Sequence, residues 1–184
     1  MLSLELIQAI RRQYRLSWNG LHGPMHWSRV LENGLKLASL TGAKTEVVEL
    51  FAVFHDACRI NDDWDENHGS RGADLAGLLR GKFFDLSDED FTALIIACRL
   101  HTAGFTEGDI TVMTCWDADR LDLGRVGIYP DKGKLCTNAA KMPEIIEWAN
   151  ERSGNEDIPN NSGAIWQNFM NRHLKSHEDN YRHS

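Results

Sequence analysis

Apolar residues recur along most of the chain at the three- and four-residue spacing of an α-helix. Leu2, Leu6, Ile7 and Ile10 define one face of a first helix of about 14 residues. The stretch WNGLHGP interrupts it, and Pro24 stands where a new helix would begin, since its missing N–H is unpaired there anyway. Val30, Gly34, Leu37 and Ala38 line that second helix until Thr41-Gly42 stops it. Thr45 is placed to cap a third helix whose inner side carries Val47, Val48, Phe51, Ala52 and His55. After the polar, acidic segment INDDWDENHG, a fourth helix is expected from about His68 through Ala73, Leu75, Ala76 and Leu79. Ser87 followed by Asp88, Glu89 and Asp90 marks the start of a fifth, which carries Leu94, Ile95, Ala97 and Cys98 towards His101. Ile110, Val112, Met113, Trp116 and Leu121 lie along a sixth.

Gly124, Gly127, Pro130 and Gly133 make the stretch from Asp122 to Thr137 a long ordered loop, and two more helices are expected near 138–151 and 162–180. No segment alternates as a strand would, and no internal repeat is present. NERSGNEDIPNNSG reads as a surface connection, because too little chain follows it to fold alone. The expectation is an all-α protein, one domain over 1–184, folded as a compact helical bundle.

Composition changes that picture little. Of 184 residues, 42% are apolar and 26% charged, as in ordinary globular proteins, and the net charge of −7 argues against a general nucleic-acid binder. The N-terminal stretch has Glu5 inside its apolar part and no segment reaches membrane-spanning length, so a cytoplasmic protein without a membrane partner is expected. Cys58, Cys98, Cys115 and Cys136 form no C-x-x-C pair, which leaves reduced thiols as the default. Nothing in the sequence names an oligomeric state.

The chemistry concentrates in histidines. His22, His26, His55, His68 and His101 each fall at or near an expected helix end, where side chains from several helices can converge. Singly, each is more often a satisfied polar residue than a ligand. His55 and Asp56 are neighbours, about 100° apart around a helix, and reach one ion only where the helix ends or bends. His173 and His177 are four apart, but their flanks read as a solvated terminal helix. The segment GLLRGK is one residue short of a phosphate loop and lacks its Ser or Thr, and no Gly-x-Ser-x-Gly elbow occurs. The six tryptophans read as packing residues, with Trp27 and Trp64 flanking the expected pocket.

The ordered set H26-x-x-R-V30, an apolar helix ending in H55-D56, and a later acid in WDADRLD resembles the HD-domain metal-dependent phosphohydrolase superfamily. The similarity is closer still to a small bacterial HD subgroup sharing HG-x-x-HW, FHD-x-x-R, HG-x-R-GA and WDADRLD, here HGPMHW, FHDACR, HGSRGA and WDADRLDLGRVG; it spans about residues 20 to 130. The resemblance implies that His26, His55, Asp56 and a later aspartate hold a divalent ion. Mn, Fe, Co, Ni and Zn suit imidazole and carboxylate, and Mg is a further option. It implies hydrolysis of a small phosphorylated metabolite or nucleotide through a metal-activated water.

Several assignments stay open on the residues alone. The Ala-Asp-(Arg)-Leu signature favours Asp119 over Asp117 as the fourth ligand, with Asp117 in a supporting or capping role. Asp122, one turn on, is placed to orient a ligand or pair with Arg120. His68 and His101 are candidates for a second ion, or for holding a water or the substrate phosphate. Asp56, His22, His68 and His101 are the candidate catalytic residues. Arg59 and Arg71 are candidate phosphate clamps, with salt bridges to the acidic loop as the equal alternative. Two other functions share this scaffold: a dinuclear-iron oxygenase-like oxidoreductase and a non-catalytic metal-containing binding module.

Overall fold

The computed structural model of the protein describes residues 2–154. Seven α-helices run in order: α1 Leu4–Arg11, α2 Pro24–Thr41, α3 Thr45–Phe54, α4 His68–Leu79, α5 Asp88–Leu100, α6 Ile110–Arg120 and α7 Pro143–Ser153. Two short 3₁₀ turns, Leu123–Val126 and Lys132–Lys134, lie between α6 and α7. The described residues form no strand, so the all-α class holds. None of their helices is long and apolar enough to cross a membrane. The helix expected over 162–180, with His173 and His177, lies outside the described residues.

Local chemistry sets most boundaries. Ser3 Oγ accepts from Leu6 N at 3.1 Å and starts α1, whose Leu6, Ile7, Ala9 and Ile10 are buried. α1 has eight residues, well short of the length its periodicity suggests. Tyr14 explains the early stop: its ring packs edge-on against Trp18 and Trp27, and the chain leaves the helix axis to reach them. Pro24 opens α2 as expected, and Gly42 closes it at φ 75°, a left-handed geometry that suits glycine. α3 starts one residue earlier than a Thr45 cap would place it; Lys44 is the capping position and Thr45 the first helical residue. Ser87 caps α5 through Asp90 N, and Asp109 caps α6 through Thr111 N and Val112 N. α7 begins at Pro143, five residues later than the 138 expected, since proline is tolerated only in a helix's first turn.

α2 is the central helix, packed between α3 and α6, while α4 pairs with α5 across the end of α3. Gly34 allows the close approach at the centre: a Cβ there would lie 2.4 Å from Val48 Cγ1 on α3 and 3.4 Å from Ala118 Cβ on α6. The main core gathers residues of α1 to α6, with Trp27, Phe51 and Phe54 its largest wholly buried side chains. A second cluster joins Leu37 and Leu121 to Leu135, Ala140, Ile145, Ile146 and Ala149, which fixes α7 and the segment before it to the bundle. The stretch 122–137 is therefore ordered as expected, but it is tied down by two 3₁₀ turns and by Leu135, which is fully covered.

Candidate metal centre

The site forms where α3 runs out. Leu50 to Phe54 are wholly buried, so the helix delivers its end into the protein interior. His55 is the C-cap, and beyond it the bonding tightens, with Ala57 N donating to Phe54 O and Arg59 N to Asp56 O. This turn brings His55 and Asp56 to one centre although they are adjacent in sequence. His26 comes from the first turn of α2 and Asp119 from the last turn of α6.

His26 Nε2 lies 3.0 Å from His55 Nε2, 3.4 Å from Asp119 Oδ1 and 3.6 Å from Asp56 Oδ2. His55 Nε2 is 3.8 Å from both carboxylates. The other ring nitrogen of each histidine is committed: His26 Nδ1 to Asp122 Oδ2 at 2.7 Å, and His55 Nδ1 to Phe51 O at 3.1 Å. An Nδ1–H donated to those oxygens leaves both Nε2 atoms as lone pairs facing each other, an arrangement that is repulsive without a cation between them. Two ligands about 2.1 Å from one ion and at right angles lie about 3.0 Å apart, which is the His26–His55 separation. The charge states fit the same purpose. Burial drives the His55 pKa down to about 3, so the imidazole is neutral. Burial would raise Asp56 and Asp119, but the positive charge that His55 takes on in acid, with the His22 hydrogen bond to Asp56, holds both carboxyls well below the usual range. Two imidazoles with Nε2 forward and two carboxylates are a suitable donor set for a divalent transition metal.

A second group adjoins the first through Asp56. Its Oδ2 faces His26 and His55, whereas its Oδ1 lies 3.2 Å from His68 Nε2 and 3.8 Å from His101 Nε2. The two Nε2 atoms of His68 and His101 are 2.9 Å apart, with their Nδ1 atoms on the carbonyls of Asp65 and Cys98. His26, His55 and Asp56, and Asp56, His68 and His101, are thus two buried triads able to hold a metal ion. Arg59 distinguishes them. Its Nη1 sits 3.3 Å from Asp56 Oδ1 and 3.2 Å from His68 Nε2, so a guanidinium charge already occupies the edge of the second triad.

The remaining residues separate clearly. Asp117 faces away from the cluster and accepts from Cys136 N, Thr137 N and Thr137 Oγ1 at 2.7 to 2.8 Å, stapling α6 to the chain before α7. Asp122 grips His26 and receives Arg29 Nε at 2.7 Å; Arg120 goes instead to the carbonyls of Lys134 and Phe105. His22 donates to Asp56 Oδ2 at 2.9 Å and its other nitrogen meets Asp62 O at 3.3 Å. Arg59 also ties the acidic loop through Asn61 O and Asp63 O. Arg71 is not at the cluster: it bonds both oxygens of Asp65 and Cys58 O, the loop salt bridge that was the equal alternative for it. Trp27 is core, and Trp64 is 83% exposed.

Two glycines and one arginine escaped the sequence reading. A Cβ at Gly69 would fall 2.2 Å from Cys98 O, and one at Gly72 2.2 Å from Phe54 O. α4 therefore wedges its glycine face between the ends of α3 and α5, and this contact places His68 beside His101 and Asp56. The visible signal was the three-residue spacing in HGSRG. Arg29, three residues after His26, was likewise readable as a partner for the carboxylate behind it.

A cavity of about 400 Å³ opens beside the centre, reached by His101 and Asp119 and walled by Leu123, Ile128, Tyr129 and Lys134 from the 122–136 segment. That segment is a wall of the cavity. No protein-family model matches the chain, and no curated protein or solved structure is significantly similar to it. The all-α frame and the buried histidine–aspartate cluster are features the HD resemblance requires.

Proposed function

We propose that the protein is an HD-type, divalent-metal-dependent phosphohydrolase acting on a small phosphorylated metabolite or nucleotide. The observation that carries this reading is the buried cluster of His26, His55, Asp56 and Asp119, whose Asp119 lines a neighbouring cavity that also bears Arg120 and Lys134. A bound divalent cation supplies charge to neutralise the phosphate and acidify a water.

The chain's residues do the rest. Asp122 and the Phe51 carbonyl hold the rings of His26 and His55 with Nε2 forward. His22 and Arg59 fix the two oxygens of Asp56, one each. Arg120 and Lys134, partly offset in charge by Asp131, give the cavity cationic groups for an anionic substrate, while Ile128 and Tyr129 give it an apolar surface for the organic part. His101 donates Nδ1–H to Cys98 O, which leaves its Nε2 as a hydrogen-bond acceptor beside the cavity. Phosphate release from a panel of nucleotides and phosphomonoesters, with Mn, Co, Ni and Mg added in turn, tests the proposal. Turnover that vanishes in Asp56→Ala supports it; wild type and Asp56→Ala behaving alike on every substrate rejects it.

The dinuclear, oxygenase-like alternative draws on one observation, the division of Asp56 between two histidine pairs. It requires Arg59 to leave the second triad. Protein purified without added metal would then carry two irons per chain, whereas one redox-inert ion would count against it.

A further inference from the structure

We propose that the chain binds a small oxyanion in a second cavity, apart from the metal centre, formed by Arg12, Arg15 and Arg71. This cavity also measures about 400 Å³, within the range of small-molecule sites, and Gln13, Tyr14, Cys58 and Ile60 complete its wall. None of the cluster's histidines or aspartates lines it.

Arginines from two parts of the chain, the segment after α1 and α4, meet here in a protein with more acids than bases. Arg12 and Arg15 follow the end of α1 and are exposed, and among the described residues neither is engaged in an ion pair. Arg15 lies close enough to Cys58 for its charge to act on the thiol, as does Arg71. Arg71 is fixed in place: Nε donates to Cys58 O and one terminal nitrogen to Asp65, which leaves the second terminal nitrogen for another acceptor. Asp74, the carboxylate whose charge acts on Cys58, is paired with Arg99 at 3.1 Å. Asp65 balances Arg71 alone, so the charges of Arg12 and Arg15, which have no ion-pair partner among the described residues, leave this cavity cationic, and planar guanidinium forks match the oxygens of phosphate or carboxylate. Tyr14 and Ile60 beside them provide an apolar surface for a carbon skeleton. The ligand class is a small metabolite carrying a phosphate or several carboxylates.

This site is independent of the proposed hydrolysis, so its test uses protein freed of metal by chelation. Titration calorimetry of the whole chain with inorganic phosphate, and separately with citrate, reads binding directly. Saturable binding is expected, weakened at least tenfold in the double variant Arg12→Gln/Arg15→Gln and within about twofold of wild type in Asp119→Asn. Tighter phosphate binding assigns phosphate esters, and tighter citrate binding assigns polycarboxylates. Both arginines are exposed, so the double variant keeps the wild-type melting temperature. The proposal is overturned if neither anion binds, if the double variant binds as wild type does, or if Asp119→Asn abolishes binding.

Discussion

Gly72→Ala is the most informative single change in the framework of the site. The added methyl carbon would sit 2.2 Å from Phe54 O and 3.3 Å from His55 O, whereas a Cβ essentially never comes within 3.0 Å of another atom. The obstacle is backbone, so no side chain can swing aside, and α4 must move from the end of α3 by about 0.8 Å. Overpacking of this kind costs about 1–3 kcal/mol. In a protein of this size, that corresponds to a fall in melting temperature of roughly 2–12 °C. The same displacement exceeds the ~0.5 Å within which a preorganised site must be held, and the carbonyls under pressure belong to Phe54 and His55 themselves. Metal affinity is therefore expected to drop tenfold or more. Gly77→Ala is the control on the same helix, where the new methyl meets only Phe91 at 3.9 Å and gains about 0.5–1 kcal/mol from helix propensity. Thermal melts and calorimetric metal titration of both variants decide the matter. A Gly72→Ala protein with wild-type melting temperature and wild-type metal affinity would refute the wedge.

Three other consequences follow from the same geometry. Asp119→Asn should lose metal affinity at least tenfold, while Asp117→Ala should lose about 2–4 kcal/mol in a urea melt, because it breaks three buried hydrogen bonds. Asp122→Asn should weaken metal binding about 10–100-fold by releasing the His26 ring, measurable by the same titration. Acid should destabilise the metal-free protein: burial keeps His55 neutral down to about pH 3 and lowers His68, so the unfolded chain takes up protons first as pH falls below the ordinary 6.5. Stability then falls at about 1.4 kcal/mol per pH unit for each imidazole kept neutral. Asp56 and Asp119, held below the usual carboxylate range, add to the loss only at more acid pH. A urea midpoint that is flat or higher at pH 5 than at pH 7 would contradict this.

What the sequence disclosed, and what it hid, follows from how local each feature is. The helices were legible because their apolar spacing and caps lie within a few residues, as at Ser87 and Pro24. The placing of His55 and Asp56 at a helix end was legible for the same reason: the acidic loop follows at once. The short α1 was not, because Tyr14 leaves the helix for two tryptophans that the periodicity does not see. The two faces of WDAD could be separated by helical geometry, but only the chain at Cys136 and Thr137 shows what Asp117 does. Arg71 shares a motif with His68, yet it turns to Asp65 and Cys58, a choice set by the fold of the acidic loop. Gly69 and Gly72 carry no chemistry, so their importance appears only where two helix ends press on them.

The central claim is that His26, His55, Asp56 and Asp119 together hold one divalent cation. Calorimetric titration of the chelator-treated protein with Mn and Zn tests it most directly, in wild type and in His55→Ala. The account predicts a saturable high-affinity site in wild type that His55→Ala weakens at least a hundredfold while the chain stays folded. Absence of saturable binding in wild type, or equal affinity in both proteins, would contradict it.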